Sequence, residues 1–293
     1  MPLSALGLVL LGALIHAGWN IAAKKAGGDT RFTFFSCVIM AVIWSPLCIW
    51  LGWNVVPRWG AKEWLLIAAS GLVHWLYFFC LLTGYRKSDL TVVYPLARGS
   101  GPLLSSGVAV VVFGEQLSGL GVTGVAGVVA GVFLVAGGPA LFKQAHDPDK
   151  RARVQAGVFW GLATGTLIAC YTVLDAYTVK VVVMSPILFD FWCNILRMPY
   201  AAVPVLRDIP EAKRLWKLQW KYAAIVAIFS PIAYVCVLYA VLTAPVSHVA
   251  PAREVSMLFA ALIGGHMLGE GDRVLRIFGA ACIAAGVMAL ALG

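Results

Sequence analysis

Long apolar runs separated by short polar gaps follow one another along the whole sequence. A helix needs about 20 mostly apolar residues to cross a bilayer, and ten runs of that kind can be read from the sequence. We therefore predict an all-α integral membrane protein with ten transmembrane helices, at residues 3–23, 32–52, 63–84, 90–113, 120–139, 155–179, 184–206, 221–243, 246–268 and 274–292. The polar gap 207–220 is basic and contains tryptophans, which is typical of a segment in the membrane interface.

The fourth and fifth predicted helices return as the ninth and tenth at a constant offset of 155 residues. The offset aligns Arg98 with Arg253 and Glu115 with Glu270. A constant offset indicates duplication, and five helices per copy would give the second copy the opposite orientation in the membrane. We expect a first repeat at 1–139, a cytoplasmic linker at 140–154 and a second repeat at 155–293, arranged around a central cavity.

Composition supports a membrane protein and argues against a nucleic-acid partner. Hydrophobic residues make up 61% of the chain and charged residues 12%, and the mean hydropathy is +0.88. Soluble domains are far more polar than this. The net charge of +9 comes from basic residues in the short gaps, where they set topology. Sixteen of the 22 Lys and Arg fall on one side, so the positive-inside rule puts both termini outside the cytoplasm.

No sequence motif indicates an enzyme or a metal site. The seven cysteines are scattered through apolar runs without the spacing of metal ligands. Neither HExxH nor GxSxG occurs in the sequence. We therefore expect no enzymatic activity, no cofactor and no bound metal, and a membrane-embedded enzyme is the remote alternative.

Charged residues inside predicted spans mark candidate functional positions, because such groups are costly in a membrane. Arg98 and Arg253 occupy matching positions near the middle of their predicted helices, which suggests a cavity or gate role; a structural ion pair is the alternative. Asp190 and Arg197 fit a structural polar network as well as a functional one. Glu115 ends its helix just before the next one, where a carboxylate suits the positive helix end. The glycines of the fifth and tenth helices favour close packing, as scaffold or as dimer contacts.

Four segments resemble one known family: HAGWNIAAKK at 16–25, VYPLARGSGPLL at 93–104 followed by GE at 114–115, LIACYTVLD at 167–175 and APVSHVAPAREVSMLFAALIGGHMLGE at 244–270. The chain resembles the drug/metabolite transporter superfamily, and within it the ten-helix EamA-type exporters. The resemblance implies two inverted five-helix repeats and export of small metabolites across the bacterial inner membrane. By analogy with the family's cavity-lining helices, the substrate-binding candidates are His16, Trp19, Asn20, His74, Trp75, Tyr94, Arg98, Tyr171, Asp175, Tyr234, His248 and Arg253.

The resulting hypothesis is a secondary transporter that exports small metabolites by alternating access. Amino acids are the favoured substrates, including aromatic ones, because the family contains exporters of aromatic amino acids. Efflux of drugs or organic cations is the alternative, and an acidic residue such as Asp175 would then dominate the cavity. The expected partners are a small-molecule substrate and the lipid bilayer, with no nucleic acid. Both termini would be periplasmic, and the protein would be a monomer or a homodimer.

Overall fold

The computed structural model describes residues 1–27, 30–88, 90–135, 151–263 and 273–293. Within these ranges the regular structure is helical, with a single 3₁₀ turn at Val56–Arg58 and no strand. The helices are α1 (Leu3–Lys25), α2 (Arg31–Gly52), α3 (Ala61–Lys87), α4 (Leu90–Phe113), α5 (Gly119–Val135), α6 (Arg151–Lys180), α7 (Pro186–Arg207), α8 (Ile209–Thr243), α9 (Val246–Ala252), α10 (Val255–Ile263) and α11 (Arg273–Leu292). The all-α prediction is confirmed for the described residues.

Six of the described helices are long and apolar enough to cross a membrane. They are α1, α2, α3, the Leu96–Phe113 part of α4, α6 and α8. Helix α5 and the Ile277–Leu292 part of α11 are apolar but shorter. The protein is therefore a multi-pass membrane protein, while the count of ten spans stays a prediction.

The predicted ninth span is interrupted in the structure. Helix α9 ends at Ala252 and α10 begins at Val255, so Arg253 lies at a break of two residues between them. The break is a tight turn, in which the Arg253 N–H still donates to the Val249 carbonyl at 3.0 Å. Pro251 has no N–H with which to reach the carbonyl of Ser247, four residues earlier. The Ser106 hydroxyl on α4 donates to that carbonyl at 3.0 Å. A neighbouring helix thus satisfies the freed backbone group, as broken membrane helices require.

Two other boundaries differ from the sequence prediction. The polar gap predicted at 207–220 is largely helical in the structure, where α8 begins at Ile209. Asp208 caps this start by accepting a hydrogen bond from the backbone N–H of Glu211 at 3.1 Å. Helix α6 begins at Arg151 and so includes the last part of the expected linker. The rest of that linker, 140–150, lies outside the described residues, as does Glu270.

Glycine contacts bring α5 and α11 together within the chain. A Cβ atom added at Gly131 would lie 2.6 Å from the carbonyl oxygen of Gly279. A Cβ atom added at Gly124 would lie 2.9 Å from the carbonyl oxygen of Gly286. The predicted close approach of these two helices is confirmed, and it acts as an internal scaffold contact.

Helices from the two halves of the chain also pack against each other. Helix α6 runs along α4, where a Cβ at Gly161 would lie 2.8 Å from the Leu96 Cβ and 3.0 Å from the Val93 carbonyl oxygen. Helix α6 also packs on α3, while α1 packs on α8. This packing between the two halves places α3, α6, α7 and α8 around one buried polar region, which contains the candidate site.

Candidate functional site

Asp175 is the centre of the buried polar region. The residue is 0% exposed, and its Oδ1 accepts a hydrogen bond from the Ser70 hydroxyl at 2.6 Å. Its Oδ2 accepts a hydrogen bond from the Tyr234 hydroxyl. The His74 Nε2 lies 3.8 Å from Oδ2. Among the described residues, no Lys or Arg nitrogen comes within 4.0 Å of this carboxylate, so two hydroxyls and one imidazole surround it.

A stacked pair of rings links Asp175 to a buried arginine. The Tyr171 ring, one turn before Asp175 on α6, lies 4.1 Å from the His74 imidazole and is inclined to it by 26°. The Tyr171 hydroxyl accepts a hydrogen bond from Arg253 Nη2 at 3.5 Å. Arg253 is 7% exposed, and its Nε has no hydrogen-bond partner among the described residues. The helix break thus holds a cation that has no carboxylate within 4.0 Å in the part of the chain described.

Arg98 differs from Arg253 in that it forms an ion pair. Its Nε lies 3.0 Å from Glu254 Oε2, and its Nη2 donates to the Ser256 hydroxyl at 3.0 Å. The side chain of Glu254 is 1% exposed. This buried pair ties α4 to the break between α9 and α10, so the arginines at matching sequence positions have different surroundings.

A second polar network on α7 faces the same cavity. The amide nitrogen of Asn194 donates to the backbone carbonyl of Asp190 at 2.8 Å and to its Oδ1 at 3.3 Å. Arg197 donates to the amide oxygen of Asn194. These three residues and Asp175 line a small cavity of about 20 Å³. The other lining residues are Ser70, Gly71, His74, Phe189, Cys193 and Tyr234.

His16, Trp19 and Asn20 lie on α1, near the two arginines. The His16 and Trp19 rings meet edge to face with centroids 4.7 Å apart. Helix α1 packs on α9 and α10, the helices on either side of Arg253. Asn20 donates its amide hydrogen to the His16 carbonyl at 2.8 Å, a bond within its own helix. The structure therefore brings His16 and Trp19 close to the site.

Two of the sequence candidates lie elsewhere. Trp75 faces away from His74 and lines a separate pocket, where its ring lies 5.6 Å from that of Tyr200. His248 lies in the first turn of α9, where its Nδ1 is 3.4 Å from the Ser247 hydroxyl. Successive helix positions point about 100° apart, so Trp75 cannot share the face of His74. The side chain of Tyr94 lies outside the described part of the structure.

Glu115 caps a helix of the other half of the chain. Its carboxylate accepts hydrogen bonds from the backbone N–H groups of Val246 at 2.7 Å and Ser247 at 2.9 Å. The Lys180 ammonium lies 3.7 Å from the same carboxylate and donates to the Ala244 carbonyl at 3.1 Å. The prediction that Glu115 would favour the start of the next helix was wrong, because its partner is α9 rather than α5.

Ser70 and Glu254 are site residues that the sequence candidates did not include. Ser70 lies one turn before His74 and therefore on the same face of α3, which is a readable signal. Glu254 directly follows Arg253, but its pairing with Arg98 depends on the helix break. The break itself has only Pro251 as its signal.

The helices that are long and apolar enough to cross a membrane enclose a buried cavity. This arrangement is that of a membrane protein of the transporter type. The model of the EamA-like transporter family matches residues 3–137 and again 155–292. The chain therefore belongs to the EamA-like transporter family, within the drug/metabolite transporter superfamily, and contains two copies of the family's unit.

A solved crystal structure of another protein has the same fold. It superposes with a TM-score of 0.76 at 15% sequence identity, covering 99% of this chain and 97% of the other. No curated protein matches this sequence. Family membership identifies a small-molecule transporter, and the structural likeness supports the fold alone.

Proposed function

We propose that this protein exports a small zwitterionic metabolite, most simply an amino acid, across the bacterial inner membrane. The proposed mechanism is alternating access by two inverted five-helix repeats, 1–139 and 155–293, with both termini periplasmic. Two supports are the double match to the family and the bias of Lys and Arg toward one set of gaps. Inverted repeats commonly hold substrate where they face each other near the bilayer midplane.

The observation that carries the choice of a zwitterion is the separation of Arg253 from Asp175. The buried carboxylate contacts the His74 imidazole, which stacks on Tyr171, and the buried guanidinium contacts the Tyr171 hydroxyl. Among the described residues, Asp175 has no Lys or Arg nitrogen within 4.0 Å, and Arg253 has no carboxylate within that distance. Unpaired buried charges are costly. An α-amino acid supplies an ammonium group for Asp175 and a carboxylate for Arg253, so one ligand would compensate both.

The balance of buried charge supports a ligand without net charge. Around the site, three arginines lie with three carboxylates, namely Arg98, Arg197 and Arg253 with Asp175, Asp190 and Glu254, while Glu115 pairs with Lys180 elsewhere. An organic cation would neutralise Asp175 but leave Arg253 without a partner. The drug or cation exporter is therefore the weaker hypothesis.

Aromatic rings favour a hydrophobic side chain on the substrate. The ring centroids of Tyr77 and Tyr171 lie 5.7 Å apart, and those of Tyr234 and His74 also lie 5.7 Å apart. Rings of this kind provide apolar contact and, near an ammonium group, a cation–π contribution. Aromatic amino acids are therefore the first substrates to test.

A thermal-shift experiment with three related ligands tests the zwitterion. Purified protein is heated with phenylalanine, with phenethylamine, which lacks the carboxylate, and with phenylpropionate, which lacks the ammonium group. A ligand stabilises the folded state in proportion to the logarithm of its concentration relative to Kd, so phenylalanine should raise the Tm most. R253Q should remove the advantage of phenylalanine over phenethylamine, and D175N its advantage over phenylpropionate.

The variant E63Q serves as the control, because Glu63 caps the start of α3 through an exposed hydrogen bond, away from the site. It should leave all three shifts unchanged. A phenethylamine shift as large as that of phenylalanine in the wild-type protein would contradict the zwitterion and favour the cation exporter.

A further inference from the structure

We infer that residues 209–221, the first part of α8, form a binding surface for the headgroups of anionic phospholipids. We refer to these residues as the basic stem. The inference rests on the geometry of α8 and is independent of the transported substrate.

The length of α8 takes the basic stem beyond the hydrocarbon core. A helix of 35 residues is about 52 Å long at ~1.5 Å per residue, whereas the hydrocarbon core is about 30 Å thick. The apolar part, 222–243, is long enough to cross that core. The stem is therefore left at the level of the headgroups and the adjoining water.

Packing fixes which face of the basic stem points outward. Ala212, Leu215 and Gln219 are buried, and the Gln219 amide donates to the Ala26 carbonyl at 2.7 Å. Ala212 and Leu215 belong to an apolar cluster with Phe32 and Phe35 at the start of α2. The stem is thus held against the connection between α1 and α2 and cannot rotate freely.

The opposite face combines lysines with tryptophans. Lys213, Lys217 and Lys221 are exposed and follow one another at intervals of four residues, so they form one stripe along the helix. Trp216 and Trp220 lie beside the stripe and are 39% and 45% exposed. Tryptophan favours the headgroup level, and lysines near it are attracted to anionic lipids.

Charge complementarity selects anionic over zwitterionic lipids as the occupant. The exposed acid of this segment, Glu211, is engaged by Arg214 through two hydrogen bonds of 2.7 and 2.6 Å. The lysine stripe therefore keeps its positive character on the outward face. A phosphate with a net negative charge fits that stripe better than a headgroup whose choline cancels the charge.

The test measures lipid binding to the full-length protein. Detergent-purified protein is titrated with phosphatidylglycerol or phosphatidylcholine, and bound lipid is counted by native mass spectrometry. K213Q/K217Q should weaken phosphatidylglycerol binding roughly thirtyfold, about fivefold per lysine, and should change phosphatidylcholine binding little. R86Q/K87Q removes two exposed charges outside the stem and should leave the stem-bound phosphatidylglycerol in place.

An equal loss in both variants, or equal binding of the two lipids to the wild-type protein, would overturn the inference. Fluorescence quenching provides a second measurement that does not depend on the folding of the lysine variant. Brominated phosphatidylglycerol should quench tryptophan fluorescence more than brominated phosphatidylcholine, and W216F/W220F should abolish this difference. A difference that survives this substitution would place the anionic lipid elsewhere on the protein.

Discussion

Removing the carboxylate of Glu115 should destabilise the protein, because Glu115 joins α9 to the other half of the chain. The carboxylate is 7% exposed and accepts hydrogen bonds from two backbone N–H groups, those of Val246 and Ser247. E115Q retains one amide oxygen as an acceptor but turns an N–H₂ group toward the second donor. Leaving a buried donor without its partner costs about 1–3 kcal/mol, and losing a negative charge at a helix N-terminus adds about 0.3–1 kcal/mol.

We therefore expect E115Q to lower the free energy of unfolding by about 2 kcal/mol. The measurement is reversible unfolding of the purified protein in mixed micelles with increasing denaturing detergent. E63Q is the matched control, because Glu63 caps α3 through one exposed hydrogen bond to the Gly60 N–H at 2.7 Å. That bond should be worth no more than about 1 kcal/mol. Equal stabilities of E115Q and E63Q would refute the reasoning, since water would then satisfy the α9 donors.

Two further predictions concern packing and the buried ion pair. G131A should lower the free energy of unfolding by about 1–3 kcal/mol through overpacking, because the new methyl group would meet backbone atoms of α11. G107A is the control, since nothing lies within 4 Å of a Cβ added there. Equal effects of the two substitutions would contradict the close contact. E254Q should lower the free energy of unfolding by about 3–5 kcal/mol, because it leaves the Arg98 guanidinium buried without its carboxylate. The same unfolding assay measures this loss. R98Q/E254Q should be less destabilised than E254Q if the two side chains are coupled.

Much of the helix pattern could be predicted from the sequence, because apolar runs directly reflect the bilayer. The close packing of α5 and α11 was also readable from their glycines, but which helices they would meet was not. The break at Arg253 was not, because the run 246–268 is mostly apolar on both sides of Arg253 and Glu254 and is long enough to be one span. A proline alone does not decide between a kink and a break, and the hydroxyl that satisfies the freed carbonyl comes from another helix, α4.

The site was predictable only where its residues share one helix face. Tyr171 and Asp175, at helical spacing, are together in the structure, as are Ser70 and His74. The different surroundings of Arg98 and Arg253 could not be predicted, because the repeat makes them equivalent in sequence. Among the described residues, tertiary packing gives a carboxylate within 4.0 Å to Arg98 and not to Arg253. Trp75 is a sequence candidate that lies away from the site. It neighbours His74 in sequence, but its side chain lines another pocket.

Transport by the purified protein in sealed vesicles tests the central claim most directly. Proteoliposomes are loaded with unlabelled phenylalanine, and the entry of labelled phenylalanine against its chemical gradient is followed over time. The account predicts counterflow with the wild-type protein, none with D175N or R253Q, and normal counterflow with E63Q. Counterflow that persists in both D175N and R253Q would contradict the site, and its absence from the wild-type protein for every amino acid tested would contradict the proposed substrate class.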